Sequence, residues 1–345
     1  NFGVAVGAMP LVRADGTPSP IVRVFATIRG DPSLTWVDYD SQARTMNCGA
    51  DGSFPRCAKS HRLDQYENDP DLGMLASEPF HLSIDPLDGY VFLTHLTSSA
   101  VTLARAPVNE NEEPVLLDLA GPLFSLGLRR AFGVAVRQPG DTGGPVYVTS
   151  SSETGISTVH VVPGPIGPSG SGSGGSADGI LAAGQTVTPS GVPAFGDRRG
   201  ITFSADGNRA FIVNRIPPQV LVYDTTLGVS GLPRNQLLAG IEICAEASLL
   251  ATASLGTEAD EDTENRVFVP CFKNGQLWTV DVERYRVVSI ADVGRGPIGV
   301  AVSPSRGKVF VSNFAEDTIA VVDARPGGQN EGQTVIRLGT PRHRD

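Results

Sequence analysis

Apolar and polar residues alternate in short runs along most of the chain, and the clearest stretch is GPIGVAVSPSRGKVFVSNFAEDTIAVVDA, from Gly296 to Ala324. Its runs at 298–303, 308–313 and 318–323 are separated by Pro/Ser/Arg/Gly and by Phe/Ala/Glu. That is the pattern of three half-buried strands joined by tight turns. A fourth run, QTVIRL, follows.

The pattern recurs. A first unit opens with FGVAV at Phe2 and continues through IVRVFATI from Ile21 and LTWVDYD from Leu34. The second runs from Glu78 to Ala106 with PVLLDLA behind it; the third runs from Arg130 to Val162, with ILAAGQTV as its fourth strand after a Gly/Ser tract. The fourth runs from Arg198 to Thr225 with LLAGIEI. In the fifth, SLLATAS from Ser248 is read as the innermost strand, followed by a partner ending at Cys271, then KNGQLWTVDV and RVVSIADV. Innermost strands then start near 2, 80, 132, 200, 248 and 298, and a spacing of about 50 is that of a four-stranded blade. The expected fold is all-β, a β-propeller of four-stranded blades with six recognisable. The whole chain, 1–345, reads as a single propeller domain with insertions at about 41–77 and 163–179.

Composition agrees. With 345 residues, 40% hydrophobic, the chain can bury a core, and 40 Gly with 26 Pro suit many turns. A formal net charge of −10 argues against a nucleic-acid partner, which needs a surplus of Lys and Arg. No run of eighteen apolar residues exists to span a membrane as a helix. A start directly in strand-like FGVAV is what a mature form with its leader removed, or a truncated one, would show.

The four cysteines have neither zinc-ligand nor haem-attachment spacing. Cys48 and Cys57 would pin the 41–77 excursion by closing a small loop. Cys244 lies just before the SLLATAS strand and Cys271 ends its neighbour, so in this register the two meet, whereas with GIEIC innermost they would be too far apart. Two disulfides point to an oxidising compartment.

GVAVSPxxGKVFVSNxxxDTIAVVDA resembles the YVTN-type β-propeller repeat of bacterial surface and periplasmic proteins and of the lactonase-like propeller superfamily. The resemblance implies the architecture and an extracytoplasmic location, in the bacterial periplasm or at the cell surface; because most of the family is seven-bladed, it also implies a seventh blade, upstream of Asn1 or, degenerate, within 41–77. Asn214 and Asn313 hold the family's Asn at the end of the second strand; the corresponding positions elsewhere are Ile28, His95, Ser150 and Cys271. Phe92, Phe211, Phe268 and Phe310 match one another in the second strands and are expected to fill space between blades, while Gly133, Ala135, Gly299 and Ala301 suit crowded inner strands.

Ligands of propellers sit at the axial mouth. Residues approaching the inner strands gather Glu78, Arg129 with Arg130, Arg198 with Arg199, and Arg295. The second-strand ends add His95, Asn214 and Asn313. The expected ligand-binding set is Glu78, His95, Arg130, Arg199, Asn214, Arg295 and Asn313, an electropositive lip for a small anion or an acidic partner segment. Pairing of these arginines with Asp or Glu of neighbouring blades is the competing reading. His81 and His95 with Glu78 could hold a metal or act as acid and base, but structural histidines are expected and no metal or cofactor is assigned. The acidic turn at 258–265 and the pair Asp69 and Asp71 lack a calcium loop's glycine. No catalytic residue is assigned, and no GxSxG, P-loop or dinucleotide fingerprint occurs. The expected function is a non-enzymatic, extracytoplasmic protein-binding or scaffold module, with one subunit of a larger envelope complex, bound by its other chains, as a form of it. The alternative is a lactonase-like hydrolase acting on a small anionic substrate.

Overall fold

The computed structural model describes residues 2–29, 32–49, 57–64, 75–85, 87–117, 130–137, 145–151, 155–163, 179–187, 196–256 and 263–341. The fold is all-β, with six antiparallel sheets as the blades of a propeller. The chain divides into two compact units, one of residues 1–136, 140–148 and 157–186, the other of 137–139, 149–156 and 187–345.

The first sheet is ordered β1 (Phe2–Val12), β2 (Pro18–Arg29), β3 (Leu34–Asp40), β4 (Thr45–Asn47), with β5 (Arg62–Leu63) also paired to β3. The second holds β6 (Pro79–Asp85), β7 (Tyr90–His95), β8 (Val101–Arg105) and β9 (Val115–Leu116); the third holds β10 (Ala131–Val136), β11 (Val146–Ser150), β12 (Ile156–Pro163) and β13 (Gly179–Val187). The fourth comprises β14 (Arg198–Phe203), β15 (Arg209–Arg215), β16 (Pro218–Asp224) and β17 (Gln236–Glu242). The fifth comprises β18 (Ala251–Gly256), β19 (Thr263–Cys271), β20 (Gln276–Asp281) and β21 (Arg286–Asp292). The sixth comprises β22 (Pro297–Ser303), β23 (Lys308–Asn313), β24 (Thr318–Asp323) and β25 (Gln333–Leu338).

These elements follow from period-two patterning and turn chemistry. The turn into the second strand places Gly89, Gly207 and Gly307 at φ +68°, +67° and +57°, a left-handed backbone that a side chain would strain. Alternate residues of each strand then face opposite neighbours. In β15, Phe211 and Val213 join Val267 and Val269 of β19 in one core; Phe268, the residue between, packs with Val309 and Val311 of β23 in the next. Strand neighbours therefore feed two different cores, which is why in β15 and β19 successive residues as well as alternate ones are apolar.

Three expectations are corrected. The 41–77 excursion is not only a surface loop, because β4 and β5 both pair with β3 and complete the first sheet. His61 from this segment is buried and stacks on Trp36 at 3.8 Å between ring centroids, and Arg23, paired with Asp38 at 2.8 Å, lies over the same indole. The inner strand of the fifth sheet begins at Ala251, three residues after Ser248, preceded by an isolated bridge between Ala247 and Cys271. Phe92, Phe211 and Phe268 are buried as expected, but Phe310 is 37% exposed. Both disulfides, Cys48–Cys57 and Cys244–Cys271, are present with Cα separations of 4.8 and 5.9 Å. The turn at 258–262, Asp69, Asp71 and the Gly/Ser tract at 164–178 lie outside the described residues.

Candidate functional site

In each of four sheets the end of the second strand sits opposite the start of the first. The paired residues are His95 with Pro79, Asn214 with Arg198, Cys271 with Ala247, and Asn313 with Pro297. The candidate residues thus fall at the same end of their own sheets.

Four of these strand-end residues are fasteners. His95 has no exposed surface; Nδ1 lies 3.3 Å from the Ser77 carbonyl and Nε2 lies 2.9 Å from Thr102 Oγ1. A carbonyl only accepts, so Nδ1 carries the proton and Nε2 accepts from the Thr102 hydroxyl. Burial lowers the His95 pKa to about 4, although the backbone at Ser77 and Ala76 opposes it, and the ring is neutral at pH 7. Asn313 donates from Nδ2 to the Val293 carbonyl at 2.7 Å and to Thr318 Oγ1 at 3.1 Å. Cys271 reaches back to Cys244 covalently. Each of these three ties the second strand to the connection arriving from the preceding sheet, at Ser77, Val293 or Cys244. Asn214 binds within its own turn, donating to the Pro217 carbonyl at 2.8 Å. Histidine, asparagine and cystine are three chemistries for one mechanical task.

Glu78 is half-buried at φ +51°, and its carbonyl accepts from the Leu96 amide. Arg130 is exposed, with its amide donating to Ser99 Oγ at 2.7 Å. His81 is not a partner of His95: its Nδ1 accepts from the Val134 amide at 3.3 Å, and burial lowers its pKa to about 4. Arg129 lies outside the described residues.

In the second unit, Arg199 donates from Nη2 to Asp197 at 2.6 Å, so its carboxylate comes from its own connection. Arg215 crosses to the fifth sheet, with Nε donating to the Ala247 carbonyl at 2.8 Å and Nη2 to the Glu246 carbonyl at 3.1 Å. Burial lowers its pKa first and the nearby positive charge of Arg199 second.

Arg295 lines an open cleft of about 540 Å³ at this end of the fifth and sixth sheets. Its chemistry comes from Phe272, Lys273, Arg295 and Arg337, with Glu246 and Asp292 also present. Arg337 pairs with Glu316 at 3.3 Å. Among the described residues Lys273 and Arg295, both exposed, have no carboxylate partner, and Phe272 in the same cleft is 37% exposed. The floor requires glycine: a Cβ on Gly294, at φ +122°, would stand 2.6 Å from Glu316 Oε2 and 2.8 Å from Asn313 Nδ2. Of the expected set the cleft gathers Arg295 on its wall and Asn313 beneath its floor. Phe272, Lys273 and Arg337 were not singled out from sequence. The signal for Phe272 and Lys273 was the turn after β19, a phenylalanine and a lysine at the end where an apolar strand had closed.

A second cavity of about 530 Å³ lies at the opposite end of the fourth and fifth sheets. Its carboxylates are already engaged, Asp206 by Ser204 and Asn208, Asp224 by Thr226, and Glu283 by Arg209 at 2.9 Å.

No family model matches the chain, and no curated relative matches its sequence. Solved structures do. A protein from Lactobacillus plantarum is 11% identical over 99% of this chain and 86% of its own, with a TM-score of 0.58. A candidate 6-phosphogluconolactonase from Bacteroides uniformis is 14% identical over 98% of this chain and 86% of its own, with a TM-score of 0.54. The chain spans 57% of the dihydro-heme d1 dehydrogenase NirN, at 12% identity and a TM-score of 0.48. At these identities the likeness to the first two shows the fold, a β-propeller, and leaves function to the residues.

Proposed function

We propose that the chain is a non-enzymatic, extracytoplasmic propeller domain of YVTN-type repeats, spanning 1–345, that binds other protein chains as a scaffold. The observation that carries this is the cleft of the fifth and sixth sheets. An exposed aromatic sharing a cleft with two cations that have no carboxylate partner among the described residues, over a floor too tight for side chains, suits a shallow contact with an acidic protein segment: the ring supplies buried area and the cations supply orientation and encounter rate. The two disulfides support a periplasmic or cell-surface location, where such bonds persist.

Native purification with identification of co-purifying chains tests this. The wild type should retain an acidic partner, and Lys273→Glu with Arg295→Glu should reduce its recovery at least tenfold while the fold is kept. A bare monomer, or the same chains recovered with both proteins, overturns the reading.

A second reading is a lactonase-like hydrolase, favoured by the likeness to the candidate 6-phosphogluconolactonase and by the same cations, which would hold a small anionic substrate. Lactone hydrolysis by the purified monomer, abolished by Arg295→Glu, would select it.

A further inference from the structure

The fourth sheet carries a buried positive charge that no carboxylate among the described residues neutralises. Arg198 opens β14 with no exposed surface, and its Nε, Nη1 and Nη2 atoms all lack a hydrogen-bond partner. Its neighbour Arg199 differs, because successive strand residues point to opposite faces: Arg199 turns out to Asp197 and Arg198 turns in. Tyr223, on the same sheet, is 2% exposed, and its hydroxyl also has no partner. Each group feels the other's charge: burial pushes the Tyr223 phenol up to about 12 while the Arg198 guanidinium pulls it back. Opposite Arg198 in register, Asn214 commits Nδ2 to Pro217 and leaves Oδ1 unpartnered. Residue 196 keeps this corner open, since a Cβ on Gly196 would stand 3.0 Å from Asn214 Oδ1 and 3.8 Å from Arg198 Nε.

A guanidinium stays protonated in proteins and presents five N–H donors, of which one amide oxygen can satisfy a minority. An unpaired charge removed from water is among the most destabilising features a fold can contain, whereas the same charge with a counter-ion is tolerated. We infer that Arg198 and the Tyr223 hydroxyl hold a small monovalent anion, of halide size, inside the fourth sheet. Both groups donate, which selects an acceptor-only ligand. Complete burial of the guanidinium selects one that gives up its hydration at modest cost and needs no path for a larger molecule. The site is separate from the cleft proposed to bind protein.

The purified protein, exchanged into halide-free sulfate buffer, is titrated with sodium bromide at constant ionic strength while thermal unfolding is followed. The wild type should show a saturable rise of about 2–5 °C, as for a ligand that binds only the folded state. Tyr223→Phe should weaken the response, and Arg198→Leu should abolish it and be more stable than wild type in halide-free buffer. Crystals grown with bromide should show an anomalous peak within hydrogen-bond distance of the Arg198 guanidinium. Equal bromide responses in wild type and Arg198→Leu, or a map with water or a carboxylate of the chain at that position, overturns the inference. The crystals need only the wild type, so the test survives a variant that fails to fold. None of these outcomes depends on Lys273 or Arg295, so a failed partner capture and a failed anion site remain distinguishable.

Discussion

The fifth and sixth sheets are built to one plan and meet different surroundings. Phe268 and Phe310 hold equivalent places on β19 and β23, pairing with Ala251 and Ala301 respectively. Phe268 has no exposed surface because its face packs against Val309 and Val311 of the sixth sheet. Phe310 likewise faces away from the preceding sheet, but there it is 37% exposed, with Ile319, Ile336 and Leu338 at 41%, 52% and 50%. Along β23 burial alternates residue by residue, while every placed side chain of β19 beyond Asn265 is buried. A residue type therefore does not determine its energetic role; the neighbouring sheet does.

The largest effect that tests this contrast is truncation of the two phenylalanines. Phe268→Ala should cost about 3–5 kcal/mol, transfer of the ring plus the cavity it leaves. Phe310→Ala should cost about 1 kcal/mol or less, since much of that ring is already in water. Urea unfolding of both variants measures it. Equal losses would mean that the outward face of the sixth sheet is covered in solution.

The second contrast is between Cys271 and Asn313, which hold the same strand-end place. The disulfide closes a span of 27 residues, and Cys244→Ser with Cys271→Ser should cost about 3–4 kcal/mol if loop closure in the unfolded chain dominates. Asn313→Ala removes two hydrogen bonds and strands the Val293 carbonyl, for about 1–3 kcal/mol. Should the asparagine variant lose more than the cysteine pair, the fastening at Val293 would outweigh the covalent one, and the entropic account of Cys244–Cys271 would fail.

Much of this was legible in the chain. The period-two runs and their Gly and Pro turns located the strands, and the Cys244 argument selected the fifth sheet's register. The short polar strands β4 and β5 were not legible, because three or two residues carry no periodicity and pair only since β3 offers an edge. The exposure of Phe310 was not legible either, because sequence names a residue without naming its neighbour. His95, Asn313 and Cys271 could be aligned but not understood: departures from a shared asparagine look like lost function until the common tie to the preceding connection is seen. Arg198 was hidden beside Arg199, since two adjacent arginines read as one basic patch until strand alternation separates them.

The smallest effect distinguishes histidine from asparagine in the fastening role. In the folded state the His95 pKa is lowered from 6.5 to about 4 by burial. The unfolded chain therefore binds the proton first as pH falls, so the neutral ring's contribution is complete above pH 6.5 and is lost between there and about pH 4. The loss is at most about 1.4 kcal/mol per pH unit for one such group; His81, lowered to about 4 by the same cause, adds a second, and His61, also lowered by burial, a third. His95→Asn substitutes the residue that performs this task at Asn313. It should cost about 1 kcal/mol at pH 7, where the ring's packing is lost. Below pH 6 it should recover ground, because one of the three histidines whose pKa burial lowers is gone and the slope of stability against pH falls. Denaturant unfolding at pH 7.5, 6 and 5 measures that slope. An unchanged slope in His95→Asn would show that the ring is protonated or solvated in the folded protein, and that the tie to Ser77 is not the one that asparagine makes to Val293.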